Sequence, residues 1–216
     1  MASVALFYDC NDPALRTSAI ASAAHVVGSG QLVVLPTDTV YGIGADAFDR
    51  AAVADLLAAK GRGRDMPVPV LVGSWSTIDG LVASVAARTR SLIEAFWPGA
   101  LTLVVEHAPS LSWDLGDARG TVAVRMPLHP VALELLDVTG PMAVSSANRT
   151  GRSAALTAAE AREQLQDDVA VYLDGGPART GVASTIVDVT GEVPRILRAG
   201  ALGADDLRAV VPDIAG

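Results

Sequence analysis

The chain has 216 residues, of which half are hydrophobic, 4% aromatic and 19% charged, and its formal charge is −8. That length is ample for a buried core, and that hydrophobicity excludes disorder as the main state. The acidic balance argues against sequence-blind binding to nucleic acid or anionic membranes, which needs a cationic surface, and leaves room only for a local basic pocket.

The first helix is predicted from about Pro13 to Val27, capped by Asn11 or Asp12 and ended by Gly28. QLVVLP (31–36) reads as a short strand stopped by proline, followed by a loop, TDTVYGIGADAF. Asp49 caps a helix reaching about Ala59, with Val53, Leu56 and Leu57 on one face. After KGRGRDMP, residues 68–73 form a buried strand, and Ser84 to Phe96 a helix. Strands over 101–106 and 121–126 flank a polar loop. A helix from Pro130 to Val138 precedes a strand over 141–145. Thr157 with Glu160 makes a capping box for the next helix. VAVYLD, STIVDV and PRILRA are strand-like, with a hairpin turn at Thr190-Gly191, and a helix from Ala204 to Val211 closes the chain. This order predicts one α/β domain over residues 1–216, a twisted mixed sheet flanked by helices.

Several chemistries are excluded at once. The single cysteine, Cys10, rules out a disulfide framework and a cysteine-only metal site. The histidines His25, His107 and His129 lack metal-ligand spacing. There is no Walker loop and no Gly-x-Ser-x-Gly elbow. MASVALFYDCND lacks the basic start of a signal peptide, and no run approaches the roughly 18 apolar residues of a membrane span, so the expected location is the cytosol. Gly42-x-Gly44-x-x-Ala47 resembles half a dinucleotide fingerprint, but five residues separate it from the preceding strand, which leaves an oxidoreductase as a distant third reading.

Three loops carry the remaining signal. PTDTVYG places two hydroxyls, a carboxylate and a phenol after a strand, where open α/β sheets bind ligands. KGRGRD follows a helix C-terminus, with Lys60 offering a compact charge and Arg62 a planar fork for phosphate. Lys60 is the only lysine beside fifteen arginines, which suggests a position where arginine cannot substitute. SSANRTGRS (145–153) adds small hydroxyl and amide side chains after another strand. Arg125 and Arg198 lie in apolar strands and need anionic partners, from a ligand or from a structural salt bridge.

Together PTDTVYGIG, KGR, FWPGALTLV, VAVRMP, SSANRTG, ASTIVD and ILRAG resemble, in order, the YrdC-like threonylcarbamoyl-AMP synthases, over about residues 15–205. The chain looks like the short form of that family. The resemblance implies a YrdC-like fold with a concave basic cavity. It implies condensation of L-threonine, bicarbonate or carbon dioxide, and ATP to threonylcarbamoyl-AMP and pyrophosphate. A downstream transferase complex then modifies the adenosine beside the anticodon of tRNA, so that tRNA is met only indirectly or weakly. Carried over by position, Lys60 and Arg62 are the catalytic pair and hold phosphate or carboxylate. Thr39, Arg125 and Ser184 bind L-threonine. Thr121, Ser146, Asn148 and Arg198 bind ATP. Position 66 also belongs to the ATP set, but Met66 and Gly63 stand where many members have asparagine and proline, so any amide contact there is lost or replaced. Magnesium is expected with ATP, bridging its phosphates. No general base stands out, and Asp38 is the one weak candidate. The alternative is an RNA-binding module without catalysis, which scarce aromatics and the negative charge disfavour.

Overall fold

The computed structural model describes residues 5–216. Ten strands form one sheet: β1 (Leu6–Asp9), β2 (Val33–Leu35), β3 (Gly42–Asp46), β4 (Val70–Leu71), β5 (Leu101–Glu106), β6 (Thr121–Arg125), β7 (Met142–Ser146), β8 (Val171–Asp174), β9 (Thr185–Asp188) and β10 (Arg195–Arg198). Their spatial order is β1-β8-β2-β3-β7-β4-β6-β5-β9-β10. Neighbours are parallel at β1/β8, β2/β8, β4/β6 and β5/β9 and antiparallel elsewhere, so the sheet is mixed as expected.

Among the described residues seven α-helices cover it: α1 (Pro13–Gly28), α2 (Arg50–Lys60), α3 (Ile78–Leu81), α4 (Ala87–Phe96), α5 (Pro130–Thr139), α6 (Ala158–Leu165) and α7 (Ala204–Val210). On one face α1 and α5 pack together, and Ile20, Val27, Leu135 and Leu136 meet Val33, Leu35 and Leu173 of the sheet. The larger core lies on the other face, where Val53 and Leu56 of α2 and Leu92 of α4 join Ile43, Leu103 and Val124. Asp12 caps α1 through the Ala14 amide at 2.8 Å, and Asp49 caps α2 through Ala51 at 2.9 Å. Thr157 accepts from the Glu160 amide at 3.2 Å, while the Glu160 carboxylate accepts from Leu156 N, one residue before the expected box partner.

Some expectations are corrected. The predicted loop after Pro36 contains β3, the antiparallel link between β2 and β7. Its glycines allow close packing rather than a turn: a Cβ on Gly42 would lie 2.6 Å from Val144 Cγ1. Gly42 and Gly44 are therefore sheet residues, and the dinucleotide reading falls. β1 was not foreseen, β4 keeps only two of the six expected residues, and the helix expected from Ser84 starts at Ala87, after α3. β9 and β10 pair antiparallel, but six residues separate them instead of a tight Thr190-Gly191 turn. Among the described residues no helix is long and apolar enough to cross a membrane.

Candidate active site

The ends of β2, β6, β7 and β10 and the start of β9 surround a cavity of about 410 Å³. Seven of the residues singled out from sequence line it: Thr39, Arg62, Thr121, Arg125, Ser146, Ser184 and Arg198. Lys60, Asn148 and Met66 are not in the lining.

Arg125, at the end of β6, is buried, and its guanidinium is gripped from three sides. Nε donates to Gly99 O (2.8 Å), Nη1 to Thr39 Oγ1 (2.8 Å) and Nη2 to Asp38 Oδ1 (2.6 Å). Asp38 Oδ1 also accepts from Leu128 N at 2.8 Å. The pair is almost wholly desolvated, with side-chain exposures of 7% and 8%. The structural salt bridge is present, and Arg125 still faces the cavity, with two of its five N–H groups uncommitted to these bonds. The same contact ties down the one candidate base, Asp38.

Arg62 and Arg198 are different. Arg62 donates to Met66 O (3.0 Å), Pro67 O (3.2 Å) and Ser145 Oγ (3.0 Å), and Arg198 to Ser184 O (2.7 Å) and Ser184 Oγ (3.1 Å). Neither has a carboxylate within 4 Å among the described residues. Burial lowers the pKa of all three guanidiniums below the ordinary value. Against burial, the charge of Asp65 raises Arg62 and that of Asp38 raises Arg125, and Arg198 lowers both by like-charge repulsion, so it is near both. Arg62 is half-buried and Arg198 exposed, and two guanidiniums without a carboxylate contact that repel each other favour an anion between them: at 4 Å and an effective dielectric of 20, each contributes about 4 kcal/mol before desolvation.

Lys60 lies behind this wall. Its ammonium is buried and donates to Ser146 O, to Asn148 O (2.7 Å) and to Asn148 Oδ1 (3.3 Å). Burial, and then the charge of Arg62, push it down to about 8. The Asn148 amide donates to Arg149 O and Arg152 O, so that side chain braces its own loop. Gly61 makes the turn between Lys60 and Arg62 possible, at φ +61°. Met66 is exposed, and only its carbonyl serves the site, through Arg62. The Tyr41 phenol, prominent in the motif, turns away to Gly176 O (2.5 Å) and Asp174 Oδ1 (3.2 Å).

Sequence reasoning placed Thr37 and Ser145 in hydroxyl-bearing loops without an individual role and missed Thr102; all three are in the lining. Thr102 Oγ1 shares a 2.8 Å bond with Ser184 Oγ, and its signal was a lone hydroxyl in an apolar strand. Apolar wall comes from Leu71, Val104, Val122, Val144 and Ile186. A polar, guanidinium-rich end and an aliphatic wall suit a ligand with both anionic and flat apolar parts.

A twisted mixed α/β sheet with an arginine-lined cavity at its strand ends defines the class. The family model described as "Telomere recombination", that of the Sua5, YciO and YrdC proteins, matches residues 25–200, and the chain belongs to that family. A relative from Mycobacterium tuberculosis H37Rv is 63% identical over 204 residues, 94% of each chain. The threonylcarbamoyl-AMP synthase of Pseudomonas aeruginosa PAO1 is 33% identical over 80% of this chain and 94% of its own length. The crystal structure of Pyrococcus abyssi Sua5 complexed with L-threonine superposes with a TM-score of 0.92 at 33% identity, over 98% of this chain and 62% of that one.

Proposed function

We propose that the chain is a threonylcarbamoyl-AMP synthase, joining L-threonine, bicarbonate or carbon dioxide, and ATP, with release of pyrophosphate. The observation that carries this reading is the convergence of Arg62, Arg125 and Arg198 on one cavity, two of them without a carboxylate partner. The names of its relatives, and the L-threonine complex of the Pyrococcus protein, support the same assignment.

In this mechanism the free threonine amine attacks carbon dioxide, a C–N bond forms as one C=O π bond breaks, and the nitrogen gives one proton to solvent, leaving a carbamate. A carbamate oxygen then attacks the α-phosphorus, and pyrophosphate leaves from the opposite side. All the partners apart from carbon dioxide carry negative charge, so assembling them is the main barrier, and positioning with fixed positive charge lowers it without a covalent nucleophile. Arg125 holds the threonine carboxylate beside Thr39. Ser184 carries Arg198 on its carbonyl, and Arg62 and Arg198 hold the triphosphate. Thr121 and Ser146 supply hydroxyls to the nucleotide. Lys60 acts from behind by fixing the backbone of Ser146 and Asn148.

The cavity lining offers hydroxyls and guanidiniums and no carboxylate, a donor set that suits a magnesium ion carried by the phosphates of ATP better than one held by the protein. Ser146 and Thr121 are the lining hydroxyls available to such an ion or its waters, and when bound it neutralises phosphate charge. We place the reaction in the cytoplasm and its product in the hands of a transferase acting on tRNA. The test is pyrophosphate release from ATP: it should require both L-threonine and bicarbonate. Release that is unchanged when threonine is withheld would overturn the assignment.

A further inference from the structure

We propose that Thr37 is a positioning residue, whose hydroxyl fixes the direction of a hydrogen-bond chain and leaves Thr39 Oγ1 able only to accept from the amino-acid substrate. This deepens the L-threonine reading above and rests on it. The buried Thr37 Oγ1 lies 2.6 Å from Val40 O, 3.0 Å from Thr39 Oγ1 and 3.2 Å from Thr39 N. A carbonyl has no proton to give, so an oxygen pair at 2.6 Å requires the Thr37 hydroxyl proton to lie between them. Thr37 therefore has none left for Thr39.

The 3.0 Å contact between the hydroxyls must then be donated by Thr39. Arg125 Nη1 donates to Thr39 Oγ1 at 2.8 Å. The chain runs one way, from the guanidinium to Thr39, to Thr37, to the Val40 carbonyl. A hydroxyl has one proton and two acceptor positions. Thr39 has spent its proton and one acceptor position, which leaves a single lone pair toward the cavity that it lines.

A carboxylate oxygen placed there would face a lone pair with no proton between, so the substrate carboxylate is directed to the free N–H groups of Arg125. An N–H or O–H of the amino acid fits at Thr39 instead. Thr37 thus sets which end of the amino acid goes where through its hydrogen bond to Thr39.

The experiment compares steady-state pyrophosphate release by the intact protein, Thr37→Val and Thr37→Ser. Turnover by the unaltered protein that does not depend on threonine would defeat the functional reading itself. With threonine-dependent turnover in place, Thr37→Val should raise KM for L-threonine about tenfold while KM for ATP stays within about twofold, and Thr37→Ser should restore the ordinary value. An unchanged threonine KM in Thr37→Val, an equal loss for both substrates, or failure of Thr37→Ser to rescue would overturn the proposal. Should Thr37→Val not fold, NMR of the unaltered protein decides. A through-hydrogen-bond coupling from the Thr37 hydroxyl proton to the Val40 carbonyl carbon is expected; a Thr37 hydroxyl proton exchanging like a free one refutes the chain.

Discussion

Lys60→Met removes a buried charge while keeping a side chain of similar length. Burial, and then the nearby Arg62, push Lys60 from 10.5 down to about 8 in the folded protein. In the unfolded chain the lysine keeps its ordinary value. Between about pH 8 and 10.5 the unfolded state therefore binds more protons than the folded one, and stability rises with pH across that window. Below pH 8 the full cost of the buried ammonium is present; above 10.5 it is gone. The size follows from the shift, at about 1.4 kcal/mol per pH unit, and comes to about 3 kcal/mol. The variant lacks the group, and every other titration is shared, so the difference between the two proteins isolates it. Urea unfolding at pH 7 and near pH 10.5 should show the stability of the unaltered protein, relative to Lys60→Met, increasing by about 3 kcal/mol. At pH 7 the variant also leaves Ser146 O and both Asn148 oxygens without their donor, at about 1 kcal/mol each. A difference that stays flat or shrinks with pH would refute the buried, charge-depressed placement of Lys60.

Asp38→Asn should cost about 3–5 kcal/mol of stability by urea unfolding, because it leaves the Arg125 charge buried without its carboxylate. Gly42→Ala should cost about 1–3 kcal/mol in the same assay, since the new methyl meets Val144 Cγ1 at 2.6 Å across β3 and β7.

The helices were legible because their signals are local. Asp12, Asp49 and Thr157 each cap the helix that the sequence assigned to them. β3 was hidden because its glycines look like a turn, whereas their purpose is visible only beside Val144 and Met142 of a strand one hundred residues away. Arg125 was legible for a chemical reason, since a buried arginine in an apolar strand needs an anionic partner, whereas Arg198, expected to be buried likewise, lies exposed at the end of β10. What the string of residues does not contain is which partner each one has. Nothing local distinguishes Arg125, matched by Asp38, from Arg198, matched by none. Lys60 shows the same limit, since its acceptors are backbone carbonyls 86 and 88 positions on, and carbonyls leave no mark in a sequence.

That difference in matching has a consequence for how salt acts on the two substrates. Arg125 and Asp38 together are close to neutral, and a threonine zwitterion is neutral too, so their association changes little net charge. Arg62 and Arg198 have no carboxylate within 4 Å among the described residues, Asp65 offsetting Arg62 only from farther away, and they meet a polyanion. Screening acts on the second encounter far more than on the first, because the Debye length falls from about 14 Å near 0.05 M salt to about 4 Å near 0.5 M. KM for ATP should therefore rise several-fold over that range, roughly as expected for two screened charge contacts, while KM for L-threonine moves less than about twofold. Pyrophosphate release measured at both ionic strengths, with each substrate varied in turn, gives the answer. Equal shifts for the two substrates would mean that the unmatched guanidiniums are not where the triphosphate binds, since the only charged groups then in play would be common to both.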